Sequence, residues 1–305
     1  MQQPVSFPEY SSAPVSVYKG EKDISIFSLD DTINIDLSVV ESFGDEWKKF
    51  HEFSDQDLNR MAAEYFDIIP EKLYSAGTRV LDVGCGSGRW SKILSRRTGL
   101  VDAVDPSDAI YAADRLLKKE SNIRLAKASS EALPFADNTY DLVVSIGVLH
   151  HIPDTQKAMK DCVSKVMPGG YFYTYLYYKL DNRGPLFRSV FFLSNLLRKA
   201  VCRLPQKIKK LTCDFLAIFL YMPFVFMSRL TYRLGLRKLS DKIPLSIYRN
   251  KSFFIIRNDA LDRFGTKLEQ RFTREQVRQM MANCGLTDIV ISDKAPYWHA
   301  IGQKQ

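Results

Sequence analysis

The chain has 305 residues, of which 46% are apolar and 26% charged, and it carries 43 Lys and Arg against 35 Asp and Glu, a net charge of +8. These proportions are those of an ordinary globular protein and exclude a disordered, collagen-like or disulfide-stapled chain. The five cysteines are scattered and form no C-x-x-C pair, which excludes a zinc knuckle and indicates free thiols in a reducing compartment.

Residues 1–42 are predicted to be a flexible N-terminal leader, because the first part of this segment is polar and contains three prolines. The segment has neither the positively charged region nor the apolar region of a secretory signal. The longest uncharged apolar run, residues 215–227, contains a proline and is thirteen residues long, whereas about 20 are needed to cross a bilayer. We therefore do not expect a protein that is integral to a membrane.

From residue 78 onward, strand-like and helix-like segments alternate, which is typical of a parallel sheet with helices on both faces. The strand-like runs are residues 78–83, 100–105, 123–128, 140–146 and 171–178, and after a long interruption 286–292 and 297–302. The last two predict a closing antiparallel hairpin. The sequence thus predicts an α/β, Rossmann-like mixed sheet of seven strands, with a core at 43–178 and a C-terminal part at 258–305.

Residues 179–257 interrupt the alternation after the fifth strand and are predicted to form a helical insertion. From 179 to 251 the chain carries sixteen Lys and Arg against three Asp, interleaved with Phe and Leu, so this stretch contains the whole basic excess of the protein. Three interpretations stay open: a helical lid over an apolar acceptor pocket, an element that binds a membrane surface, and an RNA-binding surface. The many Phe and Leu residues favour the first two.

The segment 80–89, VLDVGCGSGR, carries the most specific signal in the chain. A buried strand runs into a turn with glycine at alternate positions and then into a helix, so a ligand can lie directly against main-chain N–H groups. Dinucleotide-binding enzymes use a similar turn, but their G-x-G-x-x-G/A pattern needs glycine or alanine where Arg89 stands. Asp82, two residues before the first glycine, would repel a pyrophosphate and suits a ligand with an ammonium or sulfonium group.

This segment resembles that of the class I S-adenosylmethionine (SAM)-dependent methyltransferases, above all the small-molecule branch that includes ubiquinone and menaquinone biosynthesis methyltransferases. Their D/E-x-G-x-G-x-G signature is complete here, at Asp82, Gly84, Gly86 and Gly88. The resemblance covers about residues 43–178 and 270–303. It implies a strand order of 3-2-1-4-5-7-6 and SAM as cofactor, without a metal.

The resemblance also assigns cofactor-binding residues. The acidic residue after the second strand, here Asp105, holds the ribose hydroxyls, and Ser129 stands where the family carries an Asp that meets the adenine amino group. A serine hydroxyl can still accept that hydrogen bond. The full predicted set is Asp82, Gly84, Cys85, Gly86, Gly88, Asp105, Pro106, Ser129, Ser130, Glu131, Gly147 and Trp47.

Trp47 belongs to a lead-in segment, residues 43–47, which precedes a predicted helix around Asp57–Tyr74. In similar methyltransferases such a segment closes over the cofactor, and an aromatic ring beside a sulfonium is favourable in charge. The alternative, that Trp47 only packs the lead-in onto the domain, has equal support from the sequence.

The candidate catalytic residues are His150 and His151. They follow the fourth strand, and open α/β sheets bind their ligands at the carboxyl ends of the strands. Histidine suits a general base near neutral pH, which helps when the methylated group is a hydroxyl or an enol. Alternatively, one or both only orient the loop; consecutive residues point in different directions, so at most one is expected to face the methyl group.

Together these features predict a cytoplasmic SAM-dependent methyltransferase that acts on a small, hydrophobic or lipid-linked acceptor, with O- or C-methylation favoured. Two alternatives stay open: an enzyme for a sugar or polysaccharide precursor and, more distantly, a protein that binds SAM without turnover. Residues 186–250 are a candidate for peripheral contact with the inner face of a membrane. Nucleic acid is disfavoured, because the fourth strand ends in Ile-Gly-Val-Leu where base methyltransferases carry Asn/Asp-Pro-Pro-Tyr. The oligomeric state stays open.

Overall fold

The structure is a computed structural model that describes residues 5–30, 32–47, 55–181 and 184–305. It divides into two compact units. The first, called the sheet unit below, comprises Met1–Asp181 and Leu268–Gln305, and the second, called the helical unit, comprises Asn182–Lys267.

The described part of the sheet unit contains one sheet of nine strands. The strands are β1 Ser16–Lys19, β2 Asp23–Ile26, β3 Arg79–Val83, β4 Leu100–Val104, β5 Ile123–Lys127, β6 Tyr140–Ile146, β7 Val166–Tyr175, β8 Leu286–Ile291 and β9 His299–Lys304. Their order is β1-β2-β5-β4-β3-β6-β7-β9-β8. Strand β1 is antiparallel to β2, and β9 is antiparallel to β7 and β8, whereas the central pairs are parallel.

Helices pack on both faces of the sheet and make up the helical unit. They are α1 Leu37–Trp47, α2 Asp55–Tyr65, α3 Arg89–Ser95, α4 Ile110–Leu116, α5 Thr155–Ser164, α6 Pro185–Val201, α7 Gln206–Leu216, α8 Met222–Arg233, α9 Arg237–Lys242, α10 Phe253–Gly265 and α11 Arg274–Asn283. A π-helical turn, Ala217–Tyr221, joins α7 to α8, and 3-10 turns span Glu71–Leu73, Leu149–His151 and Ser246–Tyr248.

The central strands are mostly apolar because both faces of the sheet are covered. In β3, Val80 belongs to one buried cluster while Leu81 and Val83 belong to the cluster on the other face, as expected for a strand whose side chains alternate. Strand β3 pairs with β4 and β6, and the register places Val80 opposite both Val101 and Leu142. The carboxyl ends of these three strands therefore meet at one edge.

The predicted α/β, Rossmann-like class is confirmed, but the predicted number of seven strands is wrong. The seven strands β3–β9 follow one another in the predicted order 3-2-1-4-5-7-6, and the hairpin β1–β2 extends the sheet beyond β5. Ile24 pairs with Leu125 of β5 and is fully buried. The expectation of a flexible leader at residues 1–42 is therefore wrong for the hairpin.

The helical unit begins and ends later than the insertion predicted at 179–257. Its last helix, α10, extends to Gly265, because Ile256, Ala260 and Phe264 share one buried cluster with residues of α7 and α8. The following helix, α11, begins with a capping box formed by Thr273 and Gln276.

Candidate functional site

The glycine turn between β3 and α3 is shaped by backbone conformations that favour glycine. Gly84, Gly86 and Gly88 have φ angles of 78°, 55° and 84°. A Cβ atom on Gly84 would lie 2.4 Å from Cγ2 of Val148, and one on Gly88 would lie 2.6 Å from Cδ1 of Leu117. The turn is therefore packed on its inner side and has no room for larger residues at these two positions.

Asp82 lies at the end of β3, directly before this turn, and is completely buried. Its Oδ2 accepts a hydrogen bond from the Ser91 hydroxyl at 2.6 Å, whereas Oδ1 has no partner among the described residues. Burial raises the pKa of Asp82 to about 7, the charge of Asp105 acts in the same direction, and the Ser91 hydrogen bond opposes them. A cationic group placed beside Oδ1 would complement this carboxylate.

Asp105 lies at the end of β4 and joins two loops. Its Oδ2 accepts a hydrogen bond from the N–H of Gly86 at 2.8 Å, and its Oδ1 accepts from the N–H of Ser107 at 2.8 Å and from the Ser107 hydroxyl. Burial raises the pKa of Asp105, and these hydrogen bonds oppose that shift. The carboxylate thus holds the glycine turn against the loop after β4.

The residues of the turn fit a polar, cationic ligand such as SAM. Besides Asp82 Oδ1, the Ser87 hydroxyl is buried without a hydrogen-bond partner among the described residues. Buried polar groups in native proteins almost always have partners, so these two atoms, one before the turn and one within it, fit a bound ligand that supplies such partners. Asp105 would hold its ribose hydroxyls, as the resemblance implies.

Three other predicted cofactor-binding residues, Cys85, Pro106 and Gly147, are spacers or loop residues. Cys85 is buried, and burial together with the charges of Asp105 and Asp82 raises the pKa of its thiol well above the usual range, which excludes a thiolate nucleophile. Pro106 is half-buried directly after Asp105. Gly147 has a φ of 78°, and a Cβ there would approach no described atom closer than 3.8 Å, on the Tyr175 ring, so space remains beside this residue.

Ser129 and Ser130 are buried after the end of β5, where the resemblance places the adenine contact. The Ser129 hydroxyl accepts a hydrogen bond from the N–H of Ala132 at 3.2 Å. Glu131, in contrast, is engaged elsewhere: its carboxylate accepts hydrogen bonds from the N–H groups of residues 33 and 34 and pairs with Lys157. The structure thus gives Glu131 a role in fixing the N-terminal segment, and none of these contacts is to the glycine turn.

Helix α1 packs beside the loop after β4. A Cβ atom on Gly44 would lie 3.1 Å from the backbone nitrogen of Asp108 and 3.6 Å from Cβ of Ser107. The predicted lead-in therefore approaches the loop that contains Asp105. The side chain of Trp47 lies outside the part of the structure that is described, so its proposed contact with the cofactor stays a prediction.

His150 and His151 form the 3-10 turn after β6, and both are buried. The His150 ring stacks on Tyr177 with 3.8 Å between the ring centroids, and burial, helped by His151 and Arg271, lowers its pKa well below the usual range. His151 Nδ1 lies 2.8 Å from the carbonyl oxygen of Leu268. Because a carbonyl only accepts, Nδ1 carries the proton, and in the neutral His151 ring Nε2 carries the lone pair.

A row of aromatic rings, which the motifs did not predict, leads to the histidine pair. Tyr177 follows Tyr175 of β7 at 5.9 Å between centroids, Tyr65 of α2 lies 5.2 Å from Tyr175, and Trp90 of α3 lies 4.7 Å from Tyr65. The alternating tyrosines in YFYTYLYY, residues 171–178, were the available signal, since every second residue of a strand shares a face. This row gives the carboxyl edge of the sheet an aromatic lining beside the glycine turn.

The fold, the carboxylate-led glycine turn and the acidic residue after β4 agree with the predicted resemblance to class I SAM-dependent methyltransferases. In agreement, residues 81–174 match the family described as methyltransferase domain. Among the residues that the structure describes, no group of three His, Cys, Asp or Glu side chains could hold a metal ion.

Curated relatives include ubiquinone biosynthesis O-methyltransferases. The protein of this name from Pseudomonas fluorescens (strain Pf0-1) is 30% identical over 146 residues, which cover 46% of this chain and 59% of the relative. That from Saccharophagus degradans is 31% identical over 143 residues, which cover 46% and 56%. The chain therefore spans less than two thirds of the length of these relatives.

Solved structures that are similar include phosphoethanolamine N-methyltransferase 2 of Haemonchus contortus in complex with SAM. It is 18% identical, with a TM-score of 0.46 over 84% of this chain and 43% of that one. A SAM-dependent methyltransferase from Thermotoga maritima is 15% identical, with a TM-score of 0.45 over 88% of this chain and 100% of that one.

Proposed function

We propose that the protein transfers a methyl group from SAM to a small, hydrophobic or lipid-linked acceptor, and that the methylated atom is an oxygen or a carbon. The observation that carries this proposal is the unpartnered, buried Asp82 Oδ1 in a glycine turn that opens next to an aromatic edge. The relatives named for ubiquinone biosynthesis support a hydrophobic acceptor and O-methylation. No metal takes part in this proposal.

Bound SAM supplies a methyl group on its sulfonium sulfur, and this sulfur is a leaving group that needs no help from an acid. The protein therefore contributes mainly by holding the acceptor in line with the methyl group in a dry site, an effect worth up to about 7–11 kcal/mol in favourable cases. In this proposal Asp105 holds the ribose hydroxyls, Ser129 accepts from the adenine amino group, and the main chain of the glycine turn faces the methionine part. The partly buried, tyrosine-lined edge would shield the acceptor from water.

We assign the general base to His151 rather than to His150. Its Nδ1 donates to the Leu268 carbonyl, which fixes the ring, and we assign Nε2 as the nitrogen that takes a hydroxyl proton from the acceptor. His150 stacks on Tyr177 and resists a positive charge because of its burial, so we assign it to holding the turn and the tyrosine in place.

Calorimetry with SAM and a measurement of S-adenosylhomocysteine release test the proposal together. The wild-type protein should bind SAM, and Asp105→Ala should weaken binding at least tenfold, because the ribose loses its partner. A panel of alkylated phenols should give S-adenosylhomocysteine, and nucleotide sugars should not. Binding without release from any acceptor would instead support a non-catalytic SAM-binding protein, and release with sugars alone would overturn the hydrophobic acceptor.

For localisation we propose the cytoplasm, with residues 186–250 in peripheral contact with the inner face of a membrane, and an acceptor other than nucleic acid. Two observations support the contact: the basic excess of this stretch and the many large apolar side chains that are exposed in it.

A further inference from the structure

The longest helix of the helical unit is more extensive than the apolar run in the sequence indicates. Helix α7 from its second residue, the π-helical turn and α8 form one continuous helix, Lys207–Arg233, of 27 residues, which is long and apolar enough to cross a membrane by length and composition. Pro223 does not end it, because the π-helical turn directly before α8 accommodates the backbone where proline lacks an N–H. This helix is called the long helix below.

One face of the long helix belongs to the core of the helical unit. Its buried side chains recur every four residues, at Cys213, Ala217, Tyr221 and Val225, and they share a cluster with Ile256, Ala260 and Phe264 of α10. Farther along, the Ser228 hydroxyl is buried and hydrogen-bonds Ser240 of α9. This face is therefore already covered by other helices of the helical unit.

The opposite face is apolar and exposed. Leu211 is 72% exposed and Phe219 63% exposed, and the exposed apolar side chains along the helix are Ile208, Leu211, Phe215, Ile218, Phe219, Phe226, Met227 and Leu230. Helix α6 adds Phe192, Leu193, Leu196 and Leu197. Most of the large apolar side chains that the described residues expose lie in the helical unit, and such continuous patches mark interaction sites.

The charges around this face are positive at both ends. Lys207, Lys209 and Lys210 lie in the first turns of the long helix, Arg229 and Arg233 lie in its last turns, and Arg237 and Lys238 begin the next helix. Its single acidic residue, Asp214, pairs with both Arg257 Nε and Nη2, the latter at 2.7 Å. Apolar side chains bordered by Lys and Arg, with no free acidic group on the helix, complement an anionic lipid surface.

The groups that pack against the buried face of the long helix determine whether this helix can cross a membrane or only lie on its surface. The long helix packs along α10, which carries Arg257 and Arg263, so a helix that crossed the bilayer would take these charges and Asp214 into the hydrocarbon. Charged groups at that depth are costly. A helix in the plane of the interface keeps α10 on the aqueous side and inserts only the exposed face.

We propose that the long helix lies in the plane of an anionic bilayer, with the Phe215, Phe219 and Phe226 side chains at the boundary between headgroups and acyl chains. The inference rests on the proposed function in one respect: a lipid-linked acceptor resides in such a bilayer. Insertion of this helix would keep the enzyme on the membrane that contains its substrate.

Flotation of the full chain with vesicles tests the apolar part of the proposal. Wild type should float with vesicles of phosphatidylcholine containing about one third phosphatidylglycerol, and Leu211→Ser/Phe215→Ser/Phe219→Ser should reduce binding at least tenfold. The matched control replaces exposed apolar side chains of the sheet unit, Val15→Ser/Ile33→Ser/Val290→Ser, and should bind as wild type. Circular dichroism confirms that all variants are folded. Equal loss in both triple variants, or no flotation of wild type, would overturn the proposal.

A second pair of variants tests the electrostatic part of the proposal. Lys207→Glu/Lys209→Glu/Lys210→Glu should abolish the preference for anionic over pure phosphatidylcholine vesicles, because the rim of the face changes sign. The control variant changes exposed lysines of the sheet unit, Lys118→Glu/Lys119→Glu/Lys160→Glu, and should keep that preference. The same loss in the control would show a non-specific effect of net charge and would overturn the proposed site.

Depth is measured with a tryptophan reporter, since Trp47, Trp90 and Trp298 all lie outside the helical unit. In a Phe219→Trp variant the added emission should shift to the blue on anionic vesicles and be quenched more by bromines near the headgroups than by bromines near the bilayer centre. Stronger quenching from the centre would overturn the in-plane orientation. If light scattering shows that the apolar face joins two copies and vesicles do not bind, the lipid is the wrong partner. SAM binding by all variants, measured by calorimetry, separates these outcomes from a failure of the proposed function.

Discussion

The buried Asp82 carboxyl destabilises the folded protein when it is ionised and no ligand is bound. Its side chain is completely buried, Oδ1 has no partner among the described residues, and its pKa is raised to about 7. A carboxyl whose pKa is higher in the folded state holds its proton more tightly when folded, so its ionisation destabilises the fold as the pH rises from about 4 to about 7. In the proposed function, a cationic ligand compensates for this charge.

Asp82→Asn should therefore raise the melting temperature of the SAM-free protein at pH 8 and have little effect at pH 4, where the carboxyl is protonated. Asparagine retains an oxygen that can accept from Ser91, so the gain reflects the lost charge, on the order of a few kcal/mol at most. The same variant should bind SAM at least tenfold more weakly. Thermal denaturation at both pH values measures the first effect; a gain that does not depend on pH would contradict this account.

Replacing His150 and replacing His151 should have different effects on activity. His151→Ala should lower kcat about 10²–10⁴-fold with little change in the affinity for SAM, because a base acts on the acceptor. His150→Phe keeps a ring that can stack on Tyr177 and should retain most activity. Steady-state kinetics with the acceptor that gives turnover compares them. Wild-type kcat in His151→Ala would remove His151 as the base.

At the scale of single elements, the glycine turn depends on space as well as on backbone conformation. Gly84 and Gly169 have φ angles of 78° and 80°, but a Cβ on Gly84 meets Val148 whereas one on Gly169 has no described atom within 4 Å. Gly169→Ala therefore reports the backbone strain alone, about 1 kcal/mol. Gly84→Ala should cost several kcal/mol more in urea unfolding and abolish SAM binding. Equal costs would show that Val148 moves aside freely.

The hairpin β1–β2 is a structural part of the sheet, and Ile24→Ala tests this. Ile24 is fully buried against β5, so the substitution should reduce the free energy of unfolding by about 2–4 kcal/mol. Ile33 is 88% exposed, and Ile33→Ala should change it by less than about 0.5 kcal/mol. Urea unfolding at equilibrium measures both. A negligible effect of Ile24→Ala would restore the flexible leader.

The elements predictable from sequence are those whose signal is local. Strand β6 is a short run of mostly apolar residues and is predicted from the sequence, and the capping box of α11 likewise lies within four residues. The hairpin was missed because its four-residue strands mix apolar and polar residues, and because β5, the strand that pairs with β2, is about a hundred residues away in sequence. A single strand pairing at that distance leaves no periodic pattern.

The same distinction applies to the site. Asp82 and Asp105 lie next to the strands that position them, so a motif locates them. Glu131 was assigned from its motif, but its carboxylate binds the backbone of residues 33 and 34, almost a hundred positions away. The contact of His299 with Asp67 is likewise formed only by the fold. Side chains whose partners come from distant segments cannot be assigned from spacing.

At the scale of the whole molecule, the chain consists of two units, and each unit has its own apolar core. In the sheet unit the buried clusters cover both faces of the sheet, and in the helical unit the cluster of α7, α8 and α10 is its own core. The SAM site we propose is built entirely from the sheet unit, and the membrane-binding face entirely from the helical unit. Binding of SAM should therefore stabilise one unit directly.

Differential scanning calorimetry of the full chain should consequently show two transitions. SAM at about 100 times its Kd should stabilise the sheet unit by about 2.7 kcal/mol and raise only the transition of that unit, because a ligand stabilises the unit whose folded state binds it. Asp105→Ala, scanned with the same SAM concentration, is the control and should show a smaller shift, which corresponds to about 1.4 kcal/mol if its Kd is tenfold higher. A single transition, or two that rise together by the same amount, would mean that the units unfold as one and that ligand binding at the glycine turn is felt throughout the molecule.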